Sequence, residues 1–248
     1  ETVMKDAPQP VYTFSAKSDS ASLTARDIRL APSGVRFCAL EEGELVRVKT
    51  NLPGQFSVYN ALAAISCARL LGVSLADAAA ALETAHGAKG RVEPVPTDGD
   101  YSIFIDYAVT PDAIENVLTT LRGIAPKRLV MLFGAGGDRD RKKRPIMGKL
   151  SADIADFVIV TSDNPRTEDP MSIIEEILPG VRAGKAPYKV ICDRPEAIRW
   201  AIDHHEPGDV ILLCGKGHED YQIIGHEKIH MDEREIVADY LAERAKRT

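Results

Sequence analysis

Long apolar runs, paired cysteines and an excess of basic charge are all missing from this 248-residue chain. No apolar run approaches the roughly 20 residues that span a bilayer, and no signal-type segment opens the chain, so we expect no membrane association. The formal net charge of -6 argues against nucleic-acid binding through phosphate neutralisation. The four cysteines are scattered without C-x-x-C spacing, which is typical of reduced residues in a cytoplasmic protein.

Apolar residues are plentiful, at 44%, which is enough for one large domain or two modest ones. The first residue is Glu1 rather than methionine, and residues 6–10 have a loop-like composition. We therefore expect the chain to be a piece of a longer polypeptide. The oligomeric state is left open by the sequence.

The first 98 residues predict a small unit of strands and helices. Short β-like runs separated by turn residues indicate antiparallel strands. These runs are 11–15, 27–30, 35–40 and 45–49. Two helices are expected, one over 59–71 and one over 75–85, where Ser74 and Asp77 have the spacing of a capping pair. Glycine and proline are dense over 86–99, so we place a domain boundary near residue 98.

Residues 99–248 alternate regularly between strand and helix. The expected strands are 101–107, 128–133, 157–161, 188–191 and 209–214. Three helices are expected to begin near residues 111, 145 and 170, and a fourth is expected over 197–204. Several strands are apolar throughout, which predicts an α/β fold with a parallel sheet wound on both sides by helices. A hairpin over 223–229 then leads to a last helix, opened by Asp232 and Glu235 in capping-box spacing.

The polar turn Thr-Ser-Asp-Asn-Pro-Arg at 161–166 follows the third of these strands. Pro165 has a fixed φ and pushes Asn164 towards extended geometry, so the Asn164 amide and the Arg166 guanidinium are held on a stiff turn. Because ligands bind at the carboxyl ends of strands in an open α/β sheet, this turn can present both groups to a ligand. A polar loop with an N-cap at Asp169 and Pro170 at the first helical position explains the stretch equally well.

Two other strand ends carry unusual loops. The first, Gly-Ala-Gly-Gly-Asp-Arg-Asp-Arg-Lys-Lys-Arg-Pro at 134–145, has five cations against two aspartates and contains no standard nucleotide-binding motif. The second is Gly-Lys-Gly-His-Glu-Asp at 215–220. Solvated charged loops are the alternative for both. Together with the turn, these loops suit a small zwitterion that has more than one carboxylate, because bidentate pairing with arginine supplies geometry as well as charge.

Six motifs, in order over nearly all of the chain, resemble the second half of a Mur ligase. They are Gly-Gln-Phe-Ser-Val-Tyr-Asn at 54–60, Gly-Arg-Val-Glu at 90–93, Asp-Tyr-Ala-Val-Thr-Pro-Asp at 106–112, Gly-Gly-Asp-Arg-Asp at 136–140, Asp-Asn-Pro-Arg at 163–166 and Gly-Lys-Gly-His-Glu at 215–219. The resemblance implies that 1–98 is the end of a central ATP-binding domain without its phosphate-binding loop. It implies that 99–248 is a Rossmann-like C-terminal domain that binds the incoming amino acid.

The resemblance also implies an ATP-dependent amide ligase of peptidoglycan precursor synthesis. In this family ATP phosphorylates a substrate carboxylate, and the amine of the added amino acid attacks the acyl phosphate. Asp-Asn-Pro-Arg resembles the family's pattern for meso-diaminopimelate, which would be added to UDP-N-acetylmuramoyl-L-alanyl-D-glutamate with ATP and Mg2+ in the full-length enzyme. A lysine-adding or folylpolyglutamate synthase-like sister ligase and a non-catalytic amino-acid-binding module are the alternatives.

Site residues follow from the same resemblance. The residues implied to hold diaminopimelate are Arg139, Asp163, Asn164, Pro165, Arg166, Gly215 and Glu219. Those implied to lie against the nucleotide are Asn60, Arg91 and Asp106. Two arginines would form ion pairs with the two carboxylates of diaminopimelate, and Glu219 would pair with the ammonium group that does not react.

Three departures from the family pattern concern the nucleotide. No Gly-Lys-Thr phosphate loop occurs between Glu1 and Thr248, so the chain contains no complete catalytic set and is not expected to catalyse ligation by itself. Val109 stands where the family usually has histidine. Ser57 and Lys89 stand where asparagine and proline are usual.

Overall fold

The computed structural model describes residues 11–246, which separate into two compact units divided between His86 and Gly87. The loop-like segment 6–10 lies outside the described residues. The division falls before the boundary expected near residue 98, because a strand in the glycine- and proline-rich segment, β5 (Glu93–Val95), pairs with a strand of the second unit.

The first unit contains a four-stranded sheet in the order β1-β2-β3-β4. Its strands are β1 (Phe14–Ser15), β2 (Leu23–Ala31), β3 (Gly34–Glu41) and β4 (Glu44–Thr50). The predicted antiparallel pairing holds for β2, β3 and β4. It is wrong for β1, which runs parallel to β2 because residues 16–22 return the chain to the start of β2 instead of forming a tight hairpin.

Two helices cover this sheet, α1 (Gln55–Leu70) and α2 (Leu75–Leu82). The predicted capping pair is confirmed, since the Ser74 hydroxyl accepts a hydrogen bond from the backbone N–H of Asp77 at 3.0 Å. Helical spacing places Val58, Leu62 and Ile65 on one face of α1, where they join the apolar core of the unit.

The second unit is built on a six-stranded sheet in the order β5-β6-β10-β7-β8-β9. The strands after β5 are β6 (Ser102–Asp106), β7 (Leu129–Phe133), β8 (Phe157–Val160), β9 (Tyr188–Val190) and β10 (Val210–Cys214). All neighbours are parallel except the edge pair β5 and β6. All residues of β7 and β10 are buried, as their apolar sequences predict. The predicted parallel, doubly wound sheet is thereby confirmed.

Five helices and a hairpin complete the second unit. They are α3 (Pro111–Arg122), α4 (Lys143–Ile154), α5 (Pro170–Ala183), α6 (Arg194–Asp203), β11 (Tyr221–Ile224), β12 (Glu227–His230) and α7 (Glu233–Ala245). Helix α6 begins earlier than predicted because the Asp193 carboxylate caps it, accepting from the N–H of Glu196 at 2.7 Å. At α7 the predicted cap Asp232 is confirmed, but Glu235 pairs with His230 instead of closing a capping box. Within residues 11–246, no helix has the length and apolarity to cross a bilayer.

Candidate functional site

The register of the second sheet brings four strand ends to one edge. Cys214, the last residue of β10, lies opposite both Asp106 of β6 and Phe133 of β7, and Phe133 lies opposite Val160 of β8. The segments that follow three of these strands are named here the glycine loop (134–142), the Asn164 turn (161–169) and the lysine loop (215–220). The edge they share is the carboxyl edge of the sheet, where ligands bind in open α/β folds.

Close backbone packing joins the glycine loop to the Asn164 turn. The N–H of Gly137 donates to the carbonyl of Asn164 at 2.9 Å. A Cβ atom on Gly137 would lie only 1.8 Å from the carbonyl oxygen of Pro165, so a larger residue there would separate the two segments. The Arg166 guanidinium adds a second connection, donating from Nη1 to the carbonyl of Gly137 at 2.8 Å.

Arg144 belongs to the basic run Arg-Lys-Lys-Arg at 141–144, and it is fully buried rather than solvated. Its guanidinium makes a bidentate pair with Glu168 at 2.8 and 2.9 Å, and also donates to Glu176 at 2.7 Å and to the Gly136 carbonyl at 3.1 Å. These hydrogen bonds from Arg144 lower the pKa of Glu168 from its ordinary 4.5 to about 2. The basic run therefore contains a structural cation, which its sequence did not distinguish from its neighbours.

Asn164 directs its side-chain amide into the protein. Its Oδ1 accepts from the Lys216 ammonium at 2.5 Å and from the N–H of Ile223 at 2.9 Å, and its Nδ2 donates to Glu219 at 2.9 Å. The residue is buried. Because both ends of the amide are bonded within the protein, direct contact between Asn164 and a ligand stays a prediction.

Lys216 was not singled out as a site residue by sequence, where a solvated lysine between two glycines looked as plausible as a functional one. In the structure its side chain is fully buried, just after β10, which lies between β6 and β7 in the sheet. The Nζ atom donates to Asn164, to the carbonyl of Tyr221 at 2.8 Å and, at 3.5 Å, to Glu219. Burial lowers the pKa of this ammonium group.

Asp163 contributes a buried carboxylate to the same edge. Its Oδ1 accepts from the N–H of Asn164 at 2.7 Å, whereas Oδ2 is buried and has no hydrogen-bond partner among residues 11–246. A Cβ atom on Gly215, whose φ is 116°, would lie 2.6 Å from that Oδ2. Glycine at 215 therefore permits this approach. A buried acceptor without a donor costs free energy, and the electrostatic interaction of the Asp163 carboxylate with the buried cations Arg194 and Lys216 offsets part of that cost.

Both predicted arginines retain unused donors. Arg166, half-buried at a φ of 51°, uses only Nη1 of its guanidinium within the part of the chain that the structure describes. Its backbone N–H donates to Ile223 at 3.0 Å, which attaches the turn to β11. Arg139 is exposed, and among the described residues 11–246 its side chain hydrogen-bonds only to the carbonyl of the adjacent Asp138, at 3.3 Å. Pro165, by contrast, is buried and contributes turn geometry.

Two of the predicted nucleotide residues lie together in the second unit. The buried carboxylate of Asp106 accepts from the N–H groups of Val92 and Ala108, both at 2.9 Å, and burial raises its pKa. The exposed guanidinium of Arg91, next to Val92, lies 5.6 Å from the centre of the Tyr107 ring. Asp106, at the end of β6, thus holds the residue that leads into β5. Its contact with a nucleotide stays a prediction.

The third nucleotide residue and the departures from the family pattern have separate settings. Asn60 is exposed on α1 of the first unit. Val109 is half-buried, and its carbonyl accepts from the Lys143 ammonium at 2.8 Å. Ser57 is buried, and its hydroxyl donates to the carbonyl of Pro53 at 2.7 Å. Lys89 lies 3.4 Å from the carboxylate of Asp232. None of these contacts tests the nucleotide assignment.

Two protein-family models match this chain and identify its class. Residues 90–217 match the glutamate ligase domain of Mur ligases, and residues 1–68 match the Mur ligase middle domain. The chain belongs to the Mur ligase family, as its six motifs predicted.

The chain is also similar to individual proteins of this family that carry one ligase name. The chain is 48% identical to the UDP-N-acetylmuramoyl-L-alanyl-D-glutamate--2,6-diaminopimelate ligase of Caldanaerobacter subterraneus subsp. tengcongensis, over 95% of this chain and 48% of the relative. It is 46% identical to the ligase of the same name from Trichormus variabilis, over 97% of this chain and 49% of that protein. A solved structure of a ligase of this name superposes on the chain with a TM-score of 0.79 and 33% sequence identity. The match covers 98% of this chain and 50% of the chain in that structure. The chain thus spans about half the length of the relatives it matches.

Proposed function

We propose that this chain is part of an ATP-dependent ligase that adds meso-diaminopimelate to UDP-N-acetylmuramoyl-L-alanyl-D-glutamate in the cytoplasm, and that its second unit binds the amino acid. The observation that carries the proposal is the meeting of Arg166 and Glu219 at one sheet edge, where among residues 11–246 the Nε and Nη2 groups of Arg166 have no partner. Relatives with 46 and 48% identity carry the name of that ligase, which supports the proposal.

The chemistry of the edge fits an amino acid with two carboxylates and two amines. Arg139 and Arg166 have guanidinium nitrogens available for planar, bidentate pairing with carboxylates. Glu219 is partly exposed and can accept from an ammonium group, and glycine at 215 permits the close approach of the Asp163 carboxylate, since a Cβ there would lie 2.6 Å from Oδ2. A site of this composition binds one ammonium group and leaves the other amine for reaction.

The proposed reaction forms one amide bond. ATP supplies a phosphoryl group to the dipeptide carboxylate; the amine then displaces phosphate as its nitrogen bonds to the carbonyl carbon and loses a proton. The part of the second unit is to orient the amino acid, because positioning a nucleophile removes much of the entropic barrier. Asn60, Arg91 and Asp106 are proposed to lie near the nucleotide. Mg2+ is proposed to accompany ATP; over residues 11–246 no three His, Cys, Asp or Glu side chains cluster to hold a metal ion.

Binding of meso-diaminopimelate to the 248-residue chain, measured by titration calorimetry, tests the proposal. We expect saturable binding that Asp163→Asn and Glu219→Gln each weaken by at least ~10-fold. Asp153→Asn is the matched control, since Asp153 lies on α4 and, within residues 11–246, pairs only with Lys149. Absence of binding by the folded wild-type chain, or equal binding by all three variants, would refute the assignment of the amino-acid site. Binding without any ligase activity in a longer protein would favour the non-catalytic module.

A further inference from the structure

The lysine loop contains a charged group, Lys216, that lies within the Gly-Lys-Gly-His-Glu motif but has no role in the proposed chemistry. Lys216 is 0% exposed, although a lysine is rarely buried without a specific set of partners. All three acceptors of its ammonium group belong to the protein: Asn164 Oδ1 at 2.5 Å, the Tyr221 carbonyl at 2.8 Å and Glu219 Oε2 at 3.5 Å. An ammonium group with three protein acceptors has no donor left for a substrate.

Lys216 is one of two donors that determine which way the Asn164 amide faces. The oxygen and nitrogen of an amide are nearly equal in shape, so only hydrogen-bond partners decide the orientation. Lys216 Nζ and the N–H of Ile223 are both donors, and both face Oδ1. The Nδ2 group is therefore directed at Glu219, to which it donates at 2.9 Å.

Glu219 is held by the same group of residues. Its Oε2 accepts from both Asn164 and Lys216, and its side chain is only 12% exposed. These two bonds restrict the rotamers of the carboxylate before any ligand arrives. A carboxylate with a preset orientation binds an ammonium group at a lower entropic cost.

We infer that Lys216 is a positioning residue, which orients the Asn164 amide and the Glu219 carboxylate for the amino-acid substrate without touching that substrate. The inference rests on the proposed function of the site. An alternative role, in which the buried cation only offsets the negative charge of Asp163 and Glu219, has the opposite consequence. Removing the cation would then strengthen binding of an ammonium group, whereas loss of positioning weakens it.

The first test needs no substrate. The chain has only four asparagines, so with 15N-asparagine labelling the Asn164 side-chain signal is assigned with one substitution. We expect the Asn164 amide protons to exchange about tenfold faster with solvent in Lys216→Met, because one anchoring bond of the amide is lost. Unchanged exchange in a folded Lys216→Met variant would overturn the inference, whether or not the chain binds diaminopimelate.

The second test measures binding of meso-diaminopimelate by calorimetry. We expect Lys216→Met to bind at least ~10-fold more weakly, and Lys216→Gln, which keeps an N–H donor group, to recover part of the loss. Because Lys216 acts in part through Glu219, Lys216→Met should lower the affinity less in the Glu219→Gln variant than in the wild type. Binding that is unchanged or tighter in Lys216→Met, or fully additive effects, would overturn the inference.

A fold control separates positioning from instability. Ile198 lies on α6 and is buried in the apolar core of the second unit. Ile198→Ala should lower the thermal midpoint while leaving the dissociation constant of diaminopimelate unchanged. If the wild-type chain does not bind diaminopimelate at all, the proposed function fails, and the exchange measurement still decides the role of Lys216.

Discussion

The Arg166 guanidinium donates from Nη1 to the carbonyl oxygen of Gly137 at 2.8 Å, so the side chain proposed to recognise substrate also joins the Asn164 turn to the glycine loop. The bond restrains the guanidinium plane and leaves the Nε and Nη2 groups available to a carboxylate. The backbone of Arg166 is left-handed, with a φ of 51°. Its substitution by alanine or lysine keeps the same backbone cost, so these two variants compare side chains alone.

Arg166 is expected to discriminate meso-diaminopimelate from lysine. Lysine would desolvate the guanidinium without giving it an anion, and a buried unpaired charged donor costs upwards of about 1–3 kcal/mol. Losing a desolvated charge pair costs roughly 2–5 kcal/mol, so we expect lysine to bind at least ~100-fold more weakly. Arg166→Lys should lose much of the affinity for diaminopimelate because it lacks the planar fork, and Arg166→Ala should lose more.

The measurement is the dissociation constant of each amino acid with wild type and both Arg166 variants. Arg166→Ala should narrow the gap between the two ligands by weakening diaminopimelate selectively. Equal weakening of both would mean that Arg166 only holds the glycine loop through Gly137.

The 248-residue chain is expected not to hydrolyse ATP or form the tripeptide by itself. No sequence of the type G-x-x-x-x-G-K-[ST] is present to hold the β- and γ-phosphates. Phosphate release should stay at background when the pure chain is supplied with ATP, magnesium and both other substrates. Release above background that depends on the dipeptide substrate would contradict this prediction.

Glu233→Ala should destabilise the second unit by about 3–5 kcal/mol, because it leaves the buried Arg194 without its carboxylate. Both side chains are 0% exposed, and Arg194 Nε donates to Glu233 at 2.8 Å. The same guanidinium reaches the Cys214 carbonyl at 2.8 Å, so α6, α7 and the end of β10 are held together. Urea unfolding gives the change in free energy. The control is Glu235→Ala, an exposed residue of the same helix, for which a change below about 1 kcal/mol is expected.

Acid unfolding should reveal the pair of Glu168 and Arg144. The pKa of Glu168 is lowered from 4.5 to about 2 in the folded chain, chiefly by hydrogen bonds from Arg144. Between these values the unfolded chain binds the extra proton, so this contribution to stability is present above pH 4.5 and is lost as the pH falls towards 2. Glu168→Gln should flatten the stability profile in that window, measured by the urea midpoint at each pH. Glu175→Gln, an exposed change on the helix α5 that follows Glu168, should leave the profile unaltered.

The second unit was predictable because its signals are local. Five-residue apolar runs such as 129–133 predicted strands buried on both faces, and all five residues of that run are buried. Thr110 and Asp169, each followed by a proline, cap α3 and α5 at the predicted starts. The direction of β1 and the existence of β5 were missed, since each is set by a pairing partner rather than by composition.

The sequence by itself determined the family, the alternation of strands and helices, and which loops follow which strands, because motif spacing, apolar periodicity and capping residues act over a few residues. Only the tertiary structure decided how charges in those loops are used. Arg144, Lys216 and Arg139 are all cations next to polar, glycine-containing loops, and the sequence does not distinguish them. Arg139 is exposed, whereas Arg144 and Lys216 are fully buried and hydrogen-bonded within the protein. Burial of a charge depends on acceptors from other loops and helices, such as Asn164 for Lys216 and Glu176 for Arg144, and these meet only when the sheet is assembled.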